Sequence, residues 1–175
     1  VIDPGHGGDA PGANSVNGRL EKEFNLALAL KTEAILRQSS KLTVVLTRRD
    51  DSSVSLADRV RIANELNAAL FVSIHGNSIH PPANPSGTET YYTRPESLAA
   101  AEVLHRHVTA AAGLPDRGVR QSNLYVTRET VMPAVLLEIG YLSHPADAAL
   151  MFDDAFQQRV AQAIAAGIAE YLGVL

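Results

Sequence analysis

The chain has 175 residues, of which 46% are apolar and 19% charged, a composition typical of one globular domain with a sizeable core. Its formal net charge is −4, and no run of lysine and arginine offers the basic surface that nucleic acid requires. Cysteine is absent, which excludes disulfides and thiolate ligands, and no apolar run approaches the roughly 18 residues of a membrane helix.

Apolar runs and turn residues predict strands and helices that alternate along the chain. In the first half they predict a strand over 1–3, a loop over 4–19, a helix over 20–38, a buried strand over 42–47 and a helix over 56–67. In the second half they predict strands over 69–75, 88–93, 124–128 and 134–139, and helices over 95–112 and 153–172. The alternation predicts a single α/β domain over 1–175, with a mainly parallel, twisted sheet of about six strands and helices on both faces.

Local signals refine two of these elements. Ser55 is placed to cap the helix over 56–67. We expect the inner face of that helix to carry Leu56, Val60, Ala63 and Leu66. Because Val1 already lies inside the first predicted strand, we expect that strand to be truncated at its amino end.

A histidine lies among glycines near the start of the chain, in the run DPGHGG over 3–8. Glycine tolerates dihedrals and close approaches that other residues cannot, so this turn leaves room for a ligand beside the His6 imidazole. His75 ends another predicted strand, and ligands of open α/β sheets bind beyond the carboxyl ends of strands. Because neutral imidazole is the commonest metal ligand, His6 and His75 predict a shared metal. The alternative for His75 is a core histidine bonded to a backbone carbonyl.

The other four histidines lie in settings typical of a protein surface. His105 and His107 belong to the predicted helix over 95–112, beside charged residues. His80 and His144 belong to polar loops that contain proline. We expect all four to lie at the surface, outside the metal site.

A zinc site with an open position needs three protein ligands, and two histidines with one glutamate form a known set. Glu21 opens the first long helix, where the helix dipole alone also favours an acid. Glu23 competes, but it points about 200° away around the helix, so only one of the two can face the site. Spacing does not decide between them.

Glu138 lies within the apolar run AVLLEIG over 134–140, where a carboxylate is costly to bury unless it is paired or bound to a cation. It predicts either an ion pair with Arg48 or Arg120, or a general base beside the metal. Burial would raise its pKa, and a cation would oppose that rise. These residues favour metal-assisted hydrolysis, in which zinc activates water and polarises a carbonyl while a glutamate transfers protons.

Four stretches of the chain form a specific pattern when they are taken in order. They are VIDPGHGG over 1–8, EK over 21–22, FVSIHGNS over 71–78 and LEIGYLS over 137–143. Weaker matches are LTR over 46–48, Arg59 with Ala63 and Asn64, GTETYY over 87–92 and NLYV over 123–126. Together they span essentially the whole chain, which resembles the zinc-dependent N-acetylmuramoyl-L-alanine amidases of bacterial cell walls, the type with a carboxypeptidase-like fold.

The resemblance implies that residues 1–175 are the catalytic domain of a peptidoglycan hydrolase, an autolysin-like amidase. It implies cleavage of the amide bond between the lactyl group of N-acetylmuramic acid and L-alanine of the stem peptide. It further implies that His6, Glu21 and His75 bind one Zn²⁺ and that Glu138 is the catalytic acid/base. Asn77 and Glu89 are weaker candidates for substrate contacts.

The resemblance also implies where the protein acts and with what. Peptidoglycan is the expected partner, and the expected location is extracellular, in the cell wall or the periplasm. We expect a monomer, without a nucleic-acid partner or a membrane span, that can be joined to wall-binding domains outside these residues.

Two other functions compete with this one. A zinc carboxypeptidase or aminopeptidase would need a basic residue that binds a terminal carboxylate, and the sequence identifies none. A wall-binding module without catalysis would lack at least one of His6, Glu21, His75 and Glu138, and none is missing.

Overall fold

The computed structural model describes residues 1–79 and 84–174 and contains one five-stranded sheet with the strand order β1-β2-β5-β3-β4. The strands are β1 (Ile2–Pro4), β2 (Phe71–Asn77), β3 (Thr88–Tyr92), β4 (Asp116–Gln121) and β5 (Ala134–Tyr141). Three of the four strand pairs are parallel, and only β3 and β5 pair antiparallel. The predicted single α/β domain with a mainly parallel sheet is confirmed.

Helices cover both faces of this sheet, as predicted. They are α1 (Glu21–Leu36), α2 (Leu56–Glu65), α3 (Leu98–Ala112), α4 (Tyr125–Glu129), α5 (Pro145–Met151) and α6 (Asp154–Leu172), with a 3₁₀ turn at Pro95–Ser97. The larger core lies between the sheet and α1, α3 and α6, and the smaller core lies on the opposite face under α2 and α4. Neighbouring residues of β2 divide between them, because Val72 belongs to the larger core and Phe71 to the smaller.

The predicted buried strand over 42–47 is wrong for most of its length. Among the described residues, its pairing is an isolated bridge between Leu46 and Ile2, supported by hydrogen bonds from Ile2 N to Val45 O and from Thr47 N to Ile2 O. Residues 42–45 are partly or fully exposed. The segment borders β1, which is three residues long and offers little backbone for a longer ladder, so the sheet has five strands, consistent with the predicted number of about six.

The predicted strand over 124–128 is also wrong, because these residues fall almost entirely in helix α4. The strand of this region is β4, which ends at Gln121, before the predicted range begins, and it was not predicted. Its sequence DRGVRQ has a single aliphatic side chain, since β4 is a half-exposed edge strand and needs no apolar run. The short helix α5 was missed as well.

Helix α2 confirms its predicted cap but only half of its predicted inner face. Ser55 Oγ accepts a hydrogen bond from Asp58 N at 3.0 Å. Val60 and Ala63 are buried, whereas Leu56 is 55% exposed and Leu66 is 50% exposed. The inner face includes a buried arginine, Arg59, and this polar position serves the site described below. Across the described ranges, no helix is both long and apolar enough to cross a membrane.

Candidate metal centre

Three of the predicted site residues lie on, or directly after, neighbouring parallel strands of the sheet. His6 follows β1, His75 lies near the end of β2, and Glu138 lies in β5. His75 and Glu138 are direct partners in the register of β2 and β5, so their side chains share one face of the sheet. This is the face that α2 and α4 cover elsewhere.

The glycine-rich loop brings the imidazoles and the first helix into contact. A Cβ atom on Gly5 would lie 2.1 Å from His75 Cε1, and one on Gly12 would lie 2.5 Å from Glu21 Oε2. Both positions therefore require glycine for close approach, as the sequence predicts for this loop. His6 has φ 61°, a left-handed conformation that costs a non-glycine residue about 1–2 kcal/mol.

A buried arginine holds His6 in this conformation. Arg59 Nη2 donates to the His6 carbonyl at 2.6 Å, and Nη1 donates to the Pro4 carbonyl at 2.8 Å and to Asp3 Oδ1 at 2.5 Å. Arg48 adds bonds from Nε to Pro4 O at 3.0 Å and from Nη2 to Gly5 O at 2.9 Å. Each arginine is only 3% exposed. The loop carbonyls that would otherwise be buried without partners are thus satisfied.

Asp3 anchors this network to the sheet. Its Oδ1 accepts from Thr47 Oγ1 at 2.6 Å, and its Oδ2 accepts from Ser73 Oγ at 2.7 Å. The sequence analysis assigned no role to these residues. The available signal was a charged residue on the inner face of α2, at Arg59, together with polar residues inside otherwise apolar strands.

Glu21 lies between the two imidazoles. Its Oε1 is 3.1 Å from His6 Nε2 and 2.9 Å from His75 Nδ1, and the two rings meet edge to face with centroids 5.0 Å apart. The three ligand atoms lie within 4.8 Å of one another. In a tetrahedral zinc site with bonds of about 2.0–2.1 Å, neighbouring ligand atoms lie about 3.3 Å apart. Two imidazole nitrogens and one carboxylate oxygen at these separations fit a zinc ion.

The carboxylate of Glu21 is fixed by several donors. Oε2 accepts from Ala13 N at 2.9 Å, and Oε1 accepts from Gly76 N at 3.3 Å and from Asn25 Nδ2 at 3.4 Å. Burial raises the pKa of Glu21, but the hydrogen bonds and charges of His6 and His75 outweigh burial and lower the pKa well below its usual range. Glu21 is therefore ionised at neutral pH, which is the form of a carboxylate that binds a metal cation.

The structure shows which of Glu21 and Glu23 faces the histidines, and which group His75 contacts. Glu23 is exposed and pairs with Arg19 at 3.1 Å, so it faces away from the cluster. His75 Nδ1 lies 2.9 Å from Glu21 Oε1, and among residues 1–79 and 84–174 no backbone carbonyl bonds to its ring, so the alternative of a core histidine bonded to a carbonyl is wrong.

Glu138 has no compensating partner. Its Oε2 is buried without a hydrogen bond, and within residues 1–79 and 84–174 it takes part in no ion pair. Burial, followed by the negative charges of Glu21 and Glu89, raises its pKa well above the usual range. The predicted pairing with Arg48 or Arg120 is wrong, because Arg48 donates to loop carbonyls and Arg120 lies beside Glu89.

Glu89 is the partner of Glu138 on its other side, across the β3–β5 ladder. It is 2% exposed and accepts hydrogen bonds from Arg117 Nε at 2.5 Å, from Tyr141 OH at 2.7 Å and from Tyr91 OH. Burial raises the pKa of Glu89, but these donors outweigh it and lower the pKa. Burial and the bond to Glu89 raise the pKa of Tyr141 to about 12.

Asn77 lies just beyond His75, after an irregularity in the register of β2 and β5. It is half-buried, and its Oδ1 accepts from Ser78 N at 2.8 Å. Asn77 is thus close to His75 in β2 and only half-buried, whereas Glu89 is paired with Glu138 and enclosed by side chains.

His105, His107 and His144 lie outside this cluster, but their predicted exposure is partly wrong. His105 is 7% exposed, with Nδ1 at 3.0 Å from Thr90 Oγ1 and Nε2 at 2.8 Å from Asp116 Oδ1. His107 is half-buried and pairs with Glu170 at 2.7 Å. His144 is half-buried and caps α5 through Asp147 N, while His80 lies outside the described residues.

Comparison with known proteins gives consistent matches. The family model described as N-acetylmuramoyl-L-alanine amidase matches residues 1–170. The chain is 36% identical over 173 residues to the probable cell wall amidase LytH of Staphylococcus aureus, covering 98% of the chain and 57% of that protein. It is 38% identical over 174 residues to the N-acetylmuramoyl-L-alanine amidase LytC of Bacillus subtilis, covering 97% of the chain and 34% of that protein. The chain thus spans about half or less of the length of these curated relatives.

Solved structures match the fold over nearly its whole extent. The catalytic domain of CwlV, an N-acetylmuramoyl-L-alanine amidase from Bacillus (Paenibacillus) polymyxa var. colistinus, superposes with a TM-score of 0.97 at 54% identity, covering 99% of this chain and 97% of that one. An N-acetylmuramoyl-L-alanine amidase from Clostridium difficile 630 gives a TM-score of 0.95 at 35% identity, covering 98% and 95%.

Proposed function

The chain belongs to the N-acetylmuramoyl-L-alanine amidase family, and we propose that it is a zinc-dependent peptidoglycan hydrolase. It cleaves the amide bond between the lactyl group of N-acetylmuramic acid and L-alanine of the stem peptide. The observation that carries the proposal is the unpartnered Glu138 Oε2 on the strand next to His75, beside the cluster of His6, Glu21 and His75.

His6, Glu21 and His75 hold the zinc ion, through the nitrogens and the carboxylate oxygen that face one another. When bound, zinc supplies a Lewis acid that polarises the scissile carbonyl and makes water acidic. The donors around Glu21 and the arginines behind His6 keep these ligands in place, as supporting contacts do in metal sites.

Glu138 moves the proton. Its Oε2 accepts a proton from the attacking water, whose oxygen bonds to the lactyl carbonyl carbon. The carbon–nitrogen bond then breaks, and Glu138 delivers the proton to the departing nitrogen of L-alanine. The products are a free lactyl carboxylate and a new amino terminus. Burial raises the pKa of Glu138, and a divalent cation nearby would lower it. The cation would thus favour the carboxylate form, which is needed to accept the proton.

Location and partners follow from the same proposal. Relatives of the chain are named probable cell wall amidases, and we therefore propose that it acts outside the cell, in the cell wall or periplasm. Its partner is peptidoglycan, and residues 1–175 act as a monomeric catalytic domain.

Purified peptidoglycan, digested with and without a chelator, tests the proposal. We expect chelator-sensitive release of lactyl carboxylates and of new L-alanine amino termini in equal amounts. Cleavage between amino acids of the stem would identify a peptidase instead. Binding to peptidoglycan without hydrolysis, in a protein with one equivalent of zinc, would identify a wall-binding module.

A further inference from the structure

Two arginines of the edge strand β4 lie against a single carboxylate beside Glu138. Glu89, the strand neighbour of Glu138, faces two arginines of the edge strand β4. Arg117 Nε donates to Glu89 Oε1 at 2.5 Å, and its guanidinium lies over the Tyr141 ring at 5.4 Å. Arg117 thus pairs closely with Glu89. Arg120 lies further from the same carboxylate, whose single negative charge does not balance two arginines.

Arg120 is held in place but not neutralised. Its Nε and Nη2 both donate to the Arg117 carbonyl at 3.2 Å, and Nη2 lies 3.9 Å from Glu89 Oε1. Its side chain is 47% exposed. Within the described ranges Nη1 has no hydrogen-bond partner, so donors of an oriented guanidinium face the solvent.

Strand register puts Arg120 on the same face of the sheet as Glu138. Glu138 pairs with Glu89, and Tyr91 pairs with Arg120. Glu89 and Tyr91 are two residues apart in one strand, so all four side chains start from the same face. Strands β5 and β4 are separated by two strand spacings, about 10 Å, and Arg120 lies two residues, about 7 Å, along the ladder from the level of Glu138, so the two backbones are about 12 Å apart.

This spacing suits a carboxylate of the stem peptide. An extended peptide covers about 3.3–3.6 Å per residue, so the residue after L-alanine ends about 7 Å from the scissile amide. The long arginine side chain bridges the remaining distance. Where that residue carries a free carboxylate, a planar guanidinium can bind it through two parallel hydrogen bonds, which an amide in its place cannot accept equally.

We propose that Arg120 binds the free carboxylate of the residue after L-alanine, and so makes the hydrolase favour stems with that carboxylate over amidated stems. The inference rests on the proposed function, since it concerns the same substrate and the same face of the sheet. It names a specificity residue on β4, an element that no part of the hydrolytic chemistry requires.

Two substrates that differ in one group test the inference. The zinc-loaded protein is given disaccharide-peptides with either a free or an amidated α-carboxyl group after L-alanine, and kcat/KM is measured for each. We expect about a tenfold preference for the free carboxylate, as for one charge-assisted contact at a half-exposed site. Arg120→Gln should bring the ratio to about one, and Arg120→Lys should retain part of it.

Arg128→Gln is the matched control, because Arg128 is similarly exposed at 40% but pairs with Glu129 and Asn123 around helix α4. It should keep the wild-type ratio. Equal wild-type rates on both substrates, or an unchanged ratio in Arg120→Gln, would overturn the inference and leave the proposed function standing. If the wild-type protein cleaved neither substrate, the proposed function would fall, and the inference with it.

Discussion

Two buried glutamates flank Glu138, and their surroundings differ in kind. Glu21 is 5% exposed and Glu89 is 2% exposed, and the pKa of each is lowered by its hydrogen-bond donors despite burial. The partners of Glu21 are two imidazoles, which are metal ligands when neutral. The partners of Glu89 are a guanidinium and two phenols, which keep their protons at neutral pH.

The difference shows what makes a carboxylate available for metal binding. A cation bound by the two imidazoles could also contact the carboxylate of Glu21. The carboxylate of Glu89 is already hydrogen-bonded to one guanidinium and two hydroxyl groups. Glu138 lies between them with an unpartnered oxygen and a raised pKa, because neither neighbour offers it a cation. Three neighbouring glutamates thus differ in their partners: Glu21 contacts imidazoles, Glu89 contacts a guanidinium and phenols, and Glu138 has an unpartnered oxygen.

The largest effect should come from Glu21 itself. Glu21→Gln removes the anionic ligand while keeping the shape, so we expect zinc to be lost in dialysis and activity to fall below detection. Glu23→Gln, at an exposed position on the same helix, is the control and should retain one equivalent of zinc. Metal analysis after dialysis measures both. Full zinc content in Glu21→Gln would contradict the conclusion that Glu21, rather than Glu89, is the carboxylate that binds the metal.

Glu138→Gln should reduce kcat by about 10²–10⁴-fold, the usual contribution of a general acid/base. Because Glu138 is not among the grouped ligand atoms, the variant should still bind one zinc. Steady-state kinetics with metal analysis on the same sample separate the two properties. Wild-type kcat in this variant would assign proton transfer to another group.

The same variant should stabilise the metal-free protein at neutral pH. The pKa of Glu138 is raised in the folded state, so its ionisation above the usual glutamate pKa costs folding free energy, and glutamine removes this cost. The gain should become small near pH 4, where the wild-type side chain is mostly protonated in both states. Thermal unfolding checks this, at about 2–4 °C per kcal/mol for a chain of this size. A lower Tm for the variant at both pH values would contradict the account.

Glu89→Gln should act on stability more than on metal binding. It leaves Arg117 without its carboxylate, and we expect a loss of about 1–3 kcal/mol, since Arg117 is partly exposed and water takes over some of its hydrogen bonds. Because the pKa of Glu89 is lowered, its contribution is present above the usual glutamate pKa and is lost as the pH falls towards the folded-state value. Urea unfolding at pH 7 and pH 4 measures this. Zinc loss in this variant, with stability unchanged, would reverse the roles of Glu21 and Glu89.

The strand-end part of the site could be predicted from local sequence. His75 and Glu138 interrupt apolar runs and His6 follows one among glycines, so each is conspicuous against its neighbours. The choice of Glu21 over Glu23 came only from the family resemblance, because helix spacing separates their directions but does not say which one faces inwards.

The remaining parts depend on contacts between distant segments. Arg59 and Asp3 are 56 positions apart, and no local pattern reports their ion pair. Strand β4 has no apolar run because it lies at the sheet edge. The charged neighbours of His105 predict a surface position, although it lies four residues after the buried Ala101 and three before the buried Val108, which was the signal for a buried residue.

The central claim is that one zinc ion binds between His6, Glu21 and His75, beside Glu138. A crystal of the zinc-loaded protein, with anomalous diffraction recorded above and below the zinc edge, tests it most directly. The account predicts a single anomalous peak within bonding distance of His6 Nε2, Glu21 Oε1 and His75 Nδ1. A peak at Glu89, or full zinc occupancy at a site that lacks any one of the three ligands, would contradict it.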